Sequence, residues 1–367
     1  MFGTSKKSQP DAPRHGIVTE TAPCQKALRL RVAPEAIAPV RAAVISEFQR
    51  EAAVPGFRKG RAPADLIERQ YAQQIRDETL QRATRTALEQ AAKEHDLRPV
   101  GPFELTAATL TDADGLALEA TVEVEPAFAL APYKGIPLVR GPLEIAPADM
   151  AHALASLQDS MTKLVPAAAG GAKERVVPPL DDELAKDLGF ETLAQLTAHV
   201  EAKLREQKQA AQAQELEAAL CDALLSRHTL DVPPRLVARQ TERLTREFKV
   251  RLLLSGTPED TLEKELATFT QQLRTSAERH VKLGFILDRI AQQESISVTQ
   301  DELVKRLWQL AQRWKKDPAE VRALFDAQGL WPSVVSAIRQ EKTIAWLESA
   351  AAVTPSASTT VQPGGRA

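Results

Sequence analysis

From Asp181 to about Ala350 the apolar residues recur at helical spacing, and no alternating run in that span reads as a strand. This feature commits nearly half of the 367 residues to helices packed on helices. Aromatic residues make up only 4% of the chain, so contacts between those helices must come from Ala, Leu and Val, whose small side chains pack closely. Breakers divide the span. A long helix is predicted over about 191–227, a second starts at Val232-Pro-Pro234, and others cover about 258–293, 299–315, 318–328 and 331–350. Thr299 followed by Glu302 reads as a capping box. Asp181-Asp182-Glu183 follows Pro178-Pro179 and reads as a helix start whose acidic groups offset the dipole, rather than as paired catalytic carboxylates.

The N-terminal third is patterned differently. Leu28, Leu30 and Val32 alternate with Arg29 and Arg31, a half-buried strand. A helix over about 34–51 carries Ile37, Val40, Val44, Ile45 and Phe48, and another over about 64–95 carries Leu66, Ile67, Tyr71, Ile75, Leu80 and Leu88. Between them, two Gly and two Pro in Val54-Pro-Gly-Phe-Arg-Lys-Gly-Arg-Ala-Pro63 preclude helix. Strands near 103–110 and 116–124 flank Thr111-Asp-Ala-Asp-Gly115, a hairpin turn. The expected fold is an α+β domain over 21–130 and an all-α domain over 180–352, mainly helical overall. Residues 131–142, with three Pro and two Gly, are expected to be an extended linker. A helix over about 147–165 places Met150, Leu154, Leu157, Met161 and Leu164 in one apolar seam, and 166–179 is expected to be a flexible joint. The polar ends, 1–20 and 353–367, are expected to be disordered tails.

Several chemistries lack the residues they need. Cys24 and Cys221 are the only cysteines, too few for a disulfide framework or a Cys-based zinc site. No two of the six His stand at i, i+4, and His228 and His280 are expected on helix surfaces. Gly170-Gly171-Ala-Lys lacks the flanks of a phosphate loop, and neither a dinucleotide fingerprint nor a nucleophile elbow occurs. No cofactor, metal or catalytic residue is expected. The opening residues hold no apolar run and no stretch of about 18 apolar residues exists, which predicts a cytoplasmic protein without a membrane partner.

One segment carries a sharper signal. Gly56-Phe-Arg-Lys-Gly-Arg-Ala-Pro63 places Phe57 and three cations, Arg58, Lys59 and Arg61, on a short loop between helices. Residues 41–76 hold seven Lys/Arg against four Asp/Glu, while 101–149 hold two against eight, so positive charge concentrates here although the whole chain carries −2. Such a tip suits docking on phosphate-rich RNA with Phe57 entering a neighbouring apolar pocket. A solvated turn with Phe57 folded back onto the helices fits the same residues.

The segment resembles the trigger factor signature, Gly-Phe-Arg-x-Gly-Lys-x-Pro, matched by Gly56, Phe57, Arg58, Gly60 and Pro63. Lys59 fills the free position, and Arg61 stands where the family usually has Lys, keeping the charge but changing its shape. Leu180-Asp-Asp-Glu-Leu-Ala-Lys-Asp-Leu-Gly189 and the stretch 224–236 with Asp231-Val-Pro233 are also similar to the family's helical domain. The resemblance spans about 25–352. It implies a ribosome-binding α+β domain followed by an elongated all-α chaperone domain. It further implies a loop, Gly56 to Arg61 with Pro63, that docks on the large ribosomal subunit near the exit tunnel, touching ribosomal protein and rRNA. The partners implied are unfolded nascent chains, with a homodimer when free of the ribosome and no ATP. A ribosome-independent helical holdase or export chaperone is the alternative. The family inserts an FKBP-like prolyl isomerase domain where only about 15 residues separate the expected helix end near Val165 from Leu180. An inserted domain needs about 100, so no isomerase domain is expected.

Overall fold

The computed structural model describes residues 14–165 and 174–355 and has an α+β N-terminal part followed by a succession of helices. The first elements are β1 (Arg14–Ala22), β2 (Gln25–Val32), α1 (Pro34–Glu51), α2 (Ala64–Gln70), α3 (Ala72–Glu94), β3 (Glu104–Thr111) and β4 (Gly115–Glu123). Next come β5 (Pro137–Arg140), α4 (Pro147–Ser160), β6 (Lys163–Val165), β7 (Glu174–Val176) and α5 (Asp182–Asp187). Then follow α6 (Leu193–Arg227), α7 (Pro234–Leu254), α8 (Glu259–Gln293), α9 (Gln300–Trp314), α10 (Pro318–Gln328), α11 (Trp331–Ala350) and β8 (Ala352–Pro355).

The chain divides into two compact units, each drawn from two stretches of sequence. One contains the chain up to Ala129 together with Thr229–Ile286; the other contains Leu130–His228 and the chain from Leu287 onward. In the first unit an antiparallel sheet of order β1-β2-β4-β3 turns Leu28, Leu30 and Val32 of β2, with Leu116, Leu118 and Val122 of β4, onto α1 and α3. Ala83, Ala87 and Ala91 repeat every four residues on the buried face of α3, so the helix approaches the sheet without large side chains. The expected second helix is two, broken at Tyr71, whose backbone (φ −115°, ψ 25°) leaves the helical region.

α7 and α8 as far as Ile286 belong to this unit, and the attachment of α7 has an identifiable reason. Pro233 at the start of α7 offers no side-chain cap, and the buried Glu123 carboxylate at the end of β4 takes that role. It accepts from the Arg235 and Leu236 N–H groups at 2.7 and 3.1 Å. An Arg235–Glu104 ion pair and an Arg239 hydrogen bond to the Val100 carbonyl add to the attachment.

Residues 14–20 are not tail: they form most of β1, paired with β2 from Arg14↔Val32 onward, and Val18 packs against the core. Two consecutive apolar residues, Ile17-Val18, are too short a signal to have marked this strand. Residues 1–13 lie outside the described residues. At the other end, 353–355 continue β8, which pairs in parallel with β5; 356–367 lie outside the described residues. The expected linker is therefore partly strand, and it packs: Tyr133, Ile136 and Leu138 are buried. The Tyr133 hydroxyl donates to Glu294 at 2.6 Å, and burial together with that carboxylate pushes its pKa up to about 12.

In the second unit α4 stops at Ser160 rather than near 165, and Lys163–Val165 turn instead to pair with Glu174–Val176. Within the expected joint, 166–173 lie outside the described residues. Asp181 caps α5 by accepting from the Glu183 and Leu184 N–H groups, as expected of the acidic cluster. The capping box at α9 is formed: Thr299 Oγ1 accepts from the Glu302 N–H while the Glu302 carboxylate accepts from the Thr299 N–H. His228 departs from expectation. It is buried, its Nδ1 2.7 Å from the Leu224 carbonyl and its Nε2 accepting from the Ala131 N–H at 2.9 Å. A helix-end imidazole with two backbone partners in reach is drawn inward because it satisfies groups that would otherwise lie orphaned. His280 stays exposed on α8. No helix among the described residues is long and apolar enough to cross a membrane.

Candidate functional site

The cationic segment leaves α1 at Ala52, whose N–H still bonds the Phe48 carbonyl. Two turns then follow in direct succession. The Phe57 N–H bonds the Val54 carbonyl at 3.1 Å, closing a turn over Pro55-Gly56, and the Arg61 N–H bonds the Arg58 carbonyl at 2.9 Å, closing one over Lys59-Gly60. In each the third residue is glycine with positive φ, 86° at Gly56 and 81° at Gly60. Pro or Lys at the second position with glycine at positive φ in the third is the chemistry of a type II turn. A Cβ at either glycine would meet nothing within 4 Å, so glycine is needed here for its backbone angle and not for space.

Both ends of the loop are anchored. Val54 and Ala62 are buried in a small core with Val44, Ile67 and Ile75, against which Phe48 and Tyr71 pack with their rings 5.8 Å apart. Gln49 on α1 donates to the Ala62 carbonyl at 2.6 Å, and Pro63 leads into α2 in an extended conformation. Between these anchors everything from Pro55 to Arg61 is exposed. Phe57 is 44% exposed and takes no part in the core beneath, so it does not fold back onto the helices. Arg58, Lys59 and Arg61 form no ion pair with any described residue.

The structure thus brings Gly56, Phe57, Arg58, Lys59, Gly60, Arg61 and Pro63 into one presented loop. The residues that sequence reasoning passed over are the supports, Gln49, Val54 and Ala62. The available signal was a lone Val before Pro-Gly and a lone Ala before Pro63, each the last apolar residue before the polar tip.

The joint between α4 and α5 holds no further domain. Residues 161–181 contain β6, β7 and, outside the described residues, only 166–173, far short of the roughly 100 residues a domain needs. Among the described residues no group of three His, Cys, Asp or Glu side chains converges to hold a metal ion.

Two family models match the chain. One, described as bacterial trigger factor protein (TF), matches residues 17–157; the other, described as bacterial trigger factor protein (TF) C-terminus, matches 192–349. Among curated relatives, trigger factor of Anaeromyxobacter sp. (strain Fw109-5) is 24% identical over 425 residues, covering 92% of this chain and 99% of its own. That of Moorella thermoacetica is 26% identical over 361 residues, covering 73% and 80%. The first alignment is longer than this chain, so the relative carries residues with no counterpart here. A solved structure described as "Promiscuous Substrate Recognition in Folding and Assembly Activities of the Trigger Factor Chaperone" covers 91% of this chain and 99% of its own. It is 19% identical, with a TM-score of 0.46.

Proposed function

Because the chain belongs to the trigger factor family of chaperones, we propose that it docks on the large ribosomal subunit beside the exit tunnel through the 56–63 loop. There it holds nascent polypeptides without ATP, in the cytoplasm. The observation that carries this reading is the loop itself: three cations with no ion pair among the described residues and a half-exposed Phe57 on two glycine turns, based on the buried Val54 and Ala62. Cations of this kind displace counterions from rRNA phosphates, and Phe57 supplies an apolar contact for a ribosomal protein.

Holding of unfolded chains is supported by apolar side chains left in water on the helices. Val304, Trp308 and Trp314 on α9 are 44%, 55% and 44% exposed, and Leu254 at the end of α7 is 84% exposed. Scattered apolar contacts bind many sequences weakly and release them as they bury their own cores.

Co-sedimentation with 70S ribosomes across a salt series tests the docking. If Arg58, Lys59 and Arg61 each meet one phosphate, affinity falls about twenty- to fortyfold between about 50 and about 200 mM salt. Pelleting that ignores salt, or no pelleting at all, rules the loop out as an RNA-docking tip and leaves a ribosome-independent holdase. With no isomerase domain in the joint, the chain is further expected to leave proline-limited refolding at its uncatalysed rate of tens of seconds or longer. Acceleration at catalytic ratios of protein to substrate would contradict that.

A further inference from the structure

Away from the loop, α1, the start of α3 and the β3–β4 hairpin enclose a groove of about 420 Å³. That volume falls in the range of small-ligand sites. Its apolar walls come from Ile37 and Ala38 on α1, Ile75 on α3 and Leu110 on β3. Thr79, on α3 one turn beyond Ile75, also lines it. It is 1% exposed, and its Oγ1 has no hydrogen-bond partner among the described residues.

The charges around the groove are unequally engaged. Arg41 holds two carboxylates, Glu68 at 2.9 Å and Asp112 at 3.1 Å, and the Asp112 side chain is 95% exposed, so its pairing is easily exchanged with water. Arg76 donates to the Leu110 carbonyl at 2.8 Å and forms no ion pair with a described residue. Four of its five N–H donors are therefore available. A cationic ligand would find both carboxylates already on Arg41; an anionic one finds Arg76 open and Arg41 exchangeable.

We propose that this groove binds an apolar monocarboxylate, its carboxylate held by the Arg76 and Arg41 guanidinium forks and its apolar body on Ile37, Ile75 and Leu110. Neither source of that chemistry, a free amphipathic acid or the C-terminal residue of a released polypeptide ending in an apolar side chain, involves the docking loop. The site therefore stands or falls independently of ribosome binding.

Calorimetric titration of the full-length chain tests this with three probes: decanoate, an acetylated tripeptide acid ending in Leu, and that tripeptide's C-terminal amide. The expected result is saturable binding of at least one acid. It should weaken about tenfold or more in Arg76→Gln, and be lost in Ala38→Trp, which fills the groove from the exposed side of α1 without touching the core. A tripeptide acid that binds while its amide does not identifies the polypeptide terminus as the source, and decanoate alone identifies the free acid; either supports the site. Unchanged melting of both variants shows that the losses are local. Failure of both acids at about 1 mM, or equal binding by parent, Arg76→Gln and Ala38→Trp, overturns it.

Discussion

A chain with Phe57, Arg58 and Lys59 all replaced by alanine is expected to bind ribosomes at least about a hundredfold more weakly while folding and melting like the parent. The first half follows from the loss of an exposed aromatic anchor and two charge-assisted phosphate contacts. Together these contribute on the order of 3–5 kcal/mol when desolvated in an interface. The second half follows from where the side chains stand. All three are exposed, none packs into the core of Val44, Val54, Ala62, Ile67 and Ile75, and neither cation has an ion-pair partner to lose among the described residues. Exposed substitutions of this kind change stability by no more than about 0.5 kcal/mol. The two glycines and the buried anchors remain, so the loop keeps its backbone. Sedimentation of the variant at low salt, beside a thermal melt, decides the matter. Equal pelleting by variant and parent would remove the loop from the docking site, and a lowered melting temperature would mean that its tip supports the fold.

The second large effect is expected at Gly115, where β4 leaves the hairpin turn. Its φ of 76° already disfavours any side chain, at a cost of about 1–2 kcal/mol. The greater obstacle is space: a Cβ there would sit 2.1 Å from the Val32 carbonyl oxygen and 3.0 Å from the Pro34 nitrogen. These are backbone atoms where β2 passes into α1, and no rotamer change can move them. Gly115→Ala must therefore open the β2–β4 pairing at Leu116↔Val32, where Leu116 is fully buried. A loss of about 3–5 kcal/mol is expected. That lowers the melting of the unit containing the sheet by about 10 °C, measurable by calorimetry. A loss under about 1 kcal/mol would show that the hairpin relaxes around the methyl group. Gly56→Ala and Gly60→Ala, with open space around them, carry only the cost of their backbone angle.

These sites differ in how much of them local sequence discloses. The cationic loop is legible because turn chemistry is local: Pro55-Gly56 and Lys59-Gly60 dictate their own backbone angles, and the cations between them have nowhere apolar to go. Most starts among α6 to α11 are legible for the same reason. They are set by Thr192, Thr299 and Asp317 as side-chain caps and by Pro234, Pro318 and Pro332 in first turns, while Gly329 in the left-handed conformation ends α10. By contrast, β1 shows only Ile17-Val18 as a signal, because an edge strand with one packed residue needs little alternation. The linker helix loses its last turn because Lys163–Val165 find a strand partner in Glu174–Val176, a pairing absent from the periodicity of Met150, Leu154, Leu157 and Met161.

Read alone, the sequence determines the α+β start, the helical remainder, the glycine-turned cationic loop and the absence of room for an inserted domain. Each rests on interactions within a few residues of chain, or on the length between them. Tertiary structure decides what depends on distant partners. Only there does Glu123 become the cap of α7 and draw α7 into the unit of the sheet. Only there is His228 buried between the Leu224 carbonyl and the Ala131 N–H, and only there does Gly115 meet the Val32 carbonyl. A buried polar group or a crowded glycine is defined by the atoms packed against it, and in each of the three cases some of those atoms come from a segment more than eighty residues away.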